Sequence, residues 1–255
     1  MKYVFTIVLF VLSVQAQSKD PSFEVASVKL NPTPAPVGIH FSPDGIRLTS
    51  ADLRIVLILA YGMRDFQIVG PDWLRVDTGA TRFNIEAKAS HPVPKEQLQL
   101  MLRPLLADRF HLTLHHEQRE MAVIAMRPAR SGAKVTPTVG DVPPDTQWIG
   151  FVGVLQTGYK FINAPMEALA AAVGACTGNM LPPVVDQTGL KGRFDFAPPL
   201  RLPPQPPDAP ALTDEDRLAG CDLNAQRSVG MTLKRAKAVV DILVIDHADR
   251  VPTED

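Results

Sequence analysis

The alternation of apolar and polar positions divides the chain into short helices and strands. After a turn at Pro43-Asp44-Gly45, positions 46–49 read as a strand. Leu53, Val56, Leu57 and Ala60 then fall on one helical face. Thr49 or Ser50 is placed to cap that helix, Asp52 suits its positive end, and Gly62 suits its stop. The run FQIVGPDWL is short, apolar and broken by Gly70-Pro71, and positions 82–87 (RFNIEA) alternate as a strand does. A second helix opens near Pro94, with Leu98, Met101, Leu102 and Leu105 as its stripe. Pro104 lies inside it, where a kink is expected. Positions 110–114 and 121–125 read as a strand pair joined through Glu117-Gln118-Arg119.

A similar order of elements recurs from position 159. Positions 159–163 read as a strand. Pro165 opens a helix bearing Met166, Leu169, Ala172, Val173 and Cys176, and VVDQTGL stands where FQIVGPDWL stood. Arg193-Phe194-Asp195-Phe196 matches Arg82-Phe83-Asn84-Ile85. A helix over about 214–228 and strands at 231–233 and 239–245 close this copy. The expected fold class is therefore α+β, with two repeated modules, each with two helices packed on a small mixed β-sheet. The expected organisation is a signal peptide over 1–16, a first module over 20–128, a linker over 129–147, and a second module over 148–250. That second module carries a proline-rich insert at 198–210, read as a stiff spacer or a docking strip.

The first residues, MKYVFTIVLFVLSVQAQS, change the picture from fold to address. Lys2, a short apolar run, and small residues at Val14 and Ala16 make a secretory leader cleaved after Ala16. The expected location is secreted or periplasmic, with membrane contact only through the leader before cleavage. Export permits a disulfide between the two cysteines, Cys176 and Cys221; two separate buried thiols are the alternative. Of 255 residues, 26 are basic and 27 acidic, and the formal net charge is -1, which argues against a nucleic-acid partner.

The densest titratable group is His111, His115, His116, Glu117 and Glu120. Such residues can bind zinc or exchange protons. On a strand, however, His111 and His115 stand about 13 Å apart, and His115 and His116 face opposite ways. A metal site would need His40, His91 or His247 as well, so a solvated hairpin edge is the favoured reading. His115, His116 and Glu117 are retained as the candidate functional cluster. Serine-nucleophile, phosphate-loop and dinucleotide signatures are absent from the sequence, and no local run offers calcium enough oxygens. No cofactor, resident metal or catalytic residue is expected. Trp73 and Trp148 read as packing residues before partner anchors.

Several runs together carry a resemblance: FEVASVKLNP, then LTSADLRIVLILAYG through FQIVGPDWL to FNIEAKA, LLADRFHLTLHHEQREMAVIAM, VVDQTGLKGRFDF, and DILVIDHADRVPTED. They resemble the "soil-associated" family of exported bacterial proteins, abundant in soil acidobacteria and of uncharacterised function. Positions 208–230 depart from its pattern. In some relatives a similar domain follows a membrane metallopeptidase of the β-lactam-sensor type, which implies envelope sensing. Each half is also similar to the short N-terminal modules of secretins and TonB-dependent transducers, which implies a protein partner in the envelope or outside the cell. The resemblance supplies no catalytic residues. The expected function is a non-catalytic module binding a protein, peptide or envelope ligand. The alternative is a secreted hydrolase-type enzyme with its site near the His115/His116 hairpin.

Overall fold

The computed structural model describes residues 21–33, 35–74, 81–140, 161–176, 181–196 and 211–253. The expected leader, positions 141–147 of the expected linker, Trp148 and the proline-rich insert lie outside the described residues. The fold class is α+β. The chain divides into two compact units, one of 1–117 with 242–255, the other of 118–241. The boundaries therefore do not follow the continuous modules expected from the sequence. They fall inside two long strands, Thr113–Pro128 (here β6) and Met231–His247 (β11). The expected hairpins at 110–125 and 231–245 are replaced by these single strands. Glu117-Gln118-Arg119 contains no Gly, Pro or Asn to turn the chain, and its polarity reflects a solvated stretch of strand.

Unit 1 is built on an antiparallel sheet ordered β1-β5-β3-β2. Its strands are β1 (Val25–Leu30), β2 (Gly38–Ser42), β3 (Gly45–Asp52) and β5 (Arg82–Lys88). Two helices follow from the periodicity, α1 (Leu53–Tyr61) and α2 (Lys95–Phe110), and they pack on each other. Strand β3 runs on to Asp52, so Asp52, not Thr49 or Ser50, caps α1; its side chain accepts a bond from Ile55 N at 2.8 Å. Gly62 ends α1 with φ 64°, a conformation that suits glycine. Helix α2 runs for 16 residues with Pro104 inside it. The carbonyl that Pro104 cannot serve belongs to exposed Leu100, where water can satisfy it. The core unites α1, α2, β3 and β5 with Ile68, Leu74, Leu243 and Ile245, and Trp73 packs against it. Ile68 and Val69 form β4 (Ile68–Val69), which pairs in parallel with Leu243 and Val244 of β11.

Asp52 is 5% exposed, and burial pushes its carboxyl above the ordinary range. Between the unfolded and folded values the native state holds more proton, so this group makes the protein more stable as pH falls through that window. Asp52→Asn keeps the cap without the buried charge, and its stability should lose that pH dependence. Asp52→Ala should cost about 1 kcal/mol through the orphaned Ile55 N–H. Urea melts from pH 4 to pH 8 check both.

Unit 2 holds β7 (Thr136–Pro137), β8 (Phe161–Ala164), β9 (Val184–Asp186), β10 (Phe194–Phe196) and the helices α3 (Met166–Cys176) and α4 (Asp214–Ser228). Strands β7, β10 and β8 lie side by side in that order, while β9 pairs in parallel with Ile124–Met126 of β6. The expected helix at 214–228 forms because Thr213 and Asp216 cap each other's backbone across its first turn. The core joins Ile124 and Met126 to α3, β8–β10, α4 and Leu233.

One local arrangement recurs. At the end of β3, Ser50 has φ 52°, its N–H donates to Asn84 Oδ1 at 3.0 Å, and its carbonyl accepts from Arg82 at 3.3 Å. In β8, Asn163 has φ 52°, its N–H donates to Asp195 Oδ1 at 2.8 Å, and its carbonyl accepts from Arg193 at 2.7 Å. The Arg-Phe-Asn and Arg-Phe-Asp runs each hold a left-handed residue on the neighbouring strand, and these hydrogen bonds offset the steric cost of that conformation.

Candidate functional site

His111 and His115, two of the residues singled out in the sequence, sit in unit 1 and meet carboxylates at the C-terminal end of β11 and just beyond it. His115, on β6, donates from Nδ1 to Asp246 at 2.9 Å, across the strand pair. His111 follows α2 in a left-handed conformation (φ 46°) and donates from Nδ1 to Asp249 Oδ2 at 2.6 Å. The other Asp249 oxygen accepts from His247 Nε2 at 3.2 Å. The Asp249 backbone N–H donates to the Phe110 carbonyl at 2.7 Å, and Thr253 N–H to the Arg109 carbonyl at 2.8 Å. The C-terminal segment therefore satisfies carbonyls that helix α2 leaves open at its end.

His116 is exposed and Glu117 half-buried on the same strand, and neither joins these imidazole–carboxylate pairs in a metal-ligating group. Among the described residues no set of three or more His, Cys, Asp or Glu is arranged to hold a metal ion. Glu120 pairs with Lys237 at 2.8 Å. His40 lies exposed on β2, and His91 bonds Ser90 at 2.9 Å. The carboxylate partners of His115 and His111, which sequence reasoning does not find, are Asp246 and Asp249. Their signal was the run IDHAD at 245–249, in which His247 alone was noted.

Chemically, each pair is an imidazole oriented by a carboxylate, the base-and-orienter half of a proton-transfer device. Both are roughly half exposed, with side-chain exposures of 54% and 46% for His115 and Asp246. The hydrogen bond from His111 holds the Asp249 carboxyl below the ordinary carboxylate range. Its contribution to stability is therefore present above the ordinary value and lost as pH falls through the depressed one. His111→Ala should return Asp249 toward the ordinary range, read directly as its carboxyl-carbon titration by NMR. An unmoved titration would show that His111 is not the cause.

Two further features are candidates for recognition. A cleft of about 500 Å³ in unit 2 lies between the start of α3 (Met166, Glu167) and the loop 186–192. Polar groups of that loop are engaged within the protein: Asp186 accepts from Thr188 N at 2.8 Å, and Gln187 accepts from Arg127 of β6 at 2.7 Å. The second feature is β1. Among the described residues it is an edge of the unit 1 sheet, and it keeps an unbroken six-residue register with β5 from Val25↔Lys88 to Leu30↔Phe83. Asn31 N–H turns inward to Arg82, so alternate groups, at Ala26, Val28 and Leu30, turn to the outer edge. Val25 and Leu30 are 66% and 50% exposed.

Cys176, at the end of α3, and Cys221, within α4, are joined by a disulfide, with Cα atoms 6.0 Å apart. Among the described residues no helix is long and apolar enough to cross a membrane.

A family described as "Protein of unknown function (DUF3738)" matches residues 54–248. The chain belongs to the DUF3738 family. The match runs from α1 past the end of β11; it covers part of each compact unit and leaves β1, β2 and β3 outside. No curated protein and no solved structure matches this DUF3738 chain.

Proposed function

We propose that this DUF3738 chain is an exported, non-catalytic module that binds a protein partner in the envelope or outside the cell, by adding an extended segment of that partner to the edge of β1. The observation that carries the reading is β1 itself. Natural sheets usually blunt an exposed edge with proline, bulges or several charges. Here six residues offer a regular outer edge with Lys29 as its one charge and two exposed apolar side chains. Main-chain bonds to an added strand supply affinity, and alternate side chains supply selectivity.

Export rests on the leader-like N-terminus and on the Cys176–Cys221 bond, since disulfides persist in oxidising compartments. The likeness to exported soil-bacterial proteins points the same way; the relatives in which a similar domain follows a metallopeptidase support a role in envelope sensing, and the likeness to secretin and transducer modules supports a protein partner. We also read the fold as one α+β module built twice. The support is the recurring Arg-Phe-Asn/Asp clamp on a left-handed residue, at the same place between strand and helix in each unit.

A photo-crosslinking residue at Val25 of the exported chain, compared with the same chain carrying Leu30→Pro, tests the binding reading. Leu30→Pro removes an outward N–H while sparing the β5 ladder. Adducts to a specific protein that vanish with Leu30→Pro are expected; adducts indifferent to it would overturn edge binding. One observation favours a second reading, a hydrolase-type enzyme: Asp246 orients His115 as a carboxylate orients a catalytic base. Turnover in a hydrolase substrate panel, abolished by His115→Ala with the fold intact, would replace the first reading by the second.

A further inference from the structure

Each compact unit is finished by a strand from the opposite half of the sequence. Unit 1 is otherwise drawn from 1–117, yet it takes in Ile242–Asp255. Leu243 and Val244 lie parallel to Ile68 and Val69, and Leu243 (0% exposed) and Ile245 (4%) enter the core beside Leu74 and Leu106. Contact there is close enough that a Cβ on Gly70 would meet Ile245 at 3.0 Å. Beyond the strand, the backbone of Asp249 and Thr253 closes the end of α2.

The reverse loan has the same form. Residues 118–128 of β6 lie in unit 2, where Ile124, Ala125 and Met126 run parallel to Val184, Val185 and Asp186. Ile124 and Met126 are 0% exposed. Beyond the strand, Ala129 N–H donates to Gly230 O at 2.9 Å and Lys134 N–H to Val229 O at 2.8 Å, just past α4, and Lys134 Nζ donates to the carbonyl of Arg227 in its last turn at 3.1 Å. In both directions the lent segment supplies a core strand in parallel with a short strand, followed by a clasp on a helix C-terminus.

We infer that each half of the chain is a strand acceptor for the other, and that the slot beside β4 and the slot beside β9 take their completing strand in trans as well as from the continuous chain. The interaction surface is the parallel edge of β4 with the buried stripe of α2, and its counterpart at β9 with α3. The partner each fits is the complementary half of this same chain, whether from its own molecule or from a second copy. The pairing geometry asks only for an extended segment with buried apolar positions and a short tail to close the helix. Nothing in it requires the peptide bonds between 141 and 160. The disulfide does not tie the halves together, because both cysteines lie in the second half.

The test uses the full-length protein with a protease site placed between 141 and 160, cut after folding. The two fragments should co-elute in equal amounts on native size exclusion. Amides of 243–245 and 124–126 should keep their protection from hydrogen exchange. When the cut protein is unfolded in urea, mixed with a sample tagged on its second half and diluted, tagged second halves should recover untagged first halves. A tagged second half carrying Leu243→Asp should recover several-fold less. Fragments that part on native size exclusion would overturn the inference. So would fragments that stay together while those amides exchange freely, or mixed samples that never yield mixed complexes.

Discussion

Replacing Cys176 and Cys221 together by alanine is expected to lower stability by about 3–4 kcal/mol, because a cross-link over roughly 45 residues removes that much loop-closure freedom from the unfolded chain. Alanine is the informative choice. Cys221 is 0% exposed among Leu218, Ala225 and Val173, and a serine there would add the cost of a buried hydroxyl to the cost of the lost bond. The bond ties the last residue of α3 to the middle of α4. Loss should therefore fall on unit 2, with protection of amides in α3 and α4 reduced before that of α1 and α2. The urea midpoint should drop by about 1–2 M, given slopes of about 2–3 kcal/mol per molar. Reductant should reproduce most of the effect in the unaltered protein and add nothing to the double variant. Equal midpoints with and without reductant would show that the bond adds no stability. A contribution of this size is available only where thiols oxidise.

Local structure was legible where periodicity and termini agree. The stripe of Leu98, Met101, Leu102 and Leu105 became the buried face of α2, and Thr213 with Asp216 opened α4 where the apolar spacing begins. Asp52 was assigned to the positive end of α1 but not to its cap, because the extra residues of β3 before it follow from a bulge beside Ser50 that spacing does not reveal. Strands failed for a different reason. A polar stretch such as Glu117-Gln118-Arg119 marks solvent on both faces as readily as it marks a turn, and the distinguishing turn residues were missing. The choice of partner strand was beyond any local signal. Val184–Asp186 lies against β6 and Ile68–Val69 against β11 because of where distant apolar positions come to rest. The same holds for the site: His115 was visible, but its pairing with Asp246 depends on a register between strands more than a hundred residues apart.

Phe83→Ala should destabilise unit 1 by about 3–5 kcal/mol, the range for removing a buried aromatic ring from a core that cannot collapse around the gap. Phe83 is 1% exposed and sits on the central strand β5, opposite Leu30 on one side and Ala51 on the other. Its ring meets the fully buried ring of Phe110 edge-on, with centroids 5.1 Å apart at 80°. Phe110 is the last residue of α2, and its carbonyl accepts from Asp249, so the ring contact joins the sheet, the helix and the C-terminal segment. The cavity should loosen all three, and exchange at 243–245 should rise along with exchange in α2. Phe83→Leu keeps most of the volume and should cost less than half as much. A double-mutant cycle with Phe110→Ala isolates the ring pair, for which a coupling of about 0.5–1.5 kcal/mol is expected. If Phe83→Ala left the C-terminal amides as protected as before, β11 would be held in unit 1 by something other than this core, and the account of how the last strand completes the first unit would have to be rebuilt.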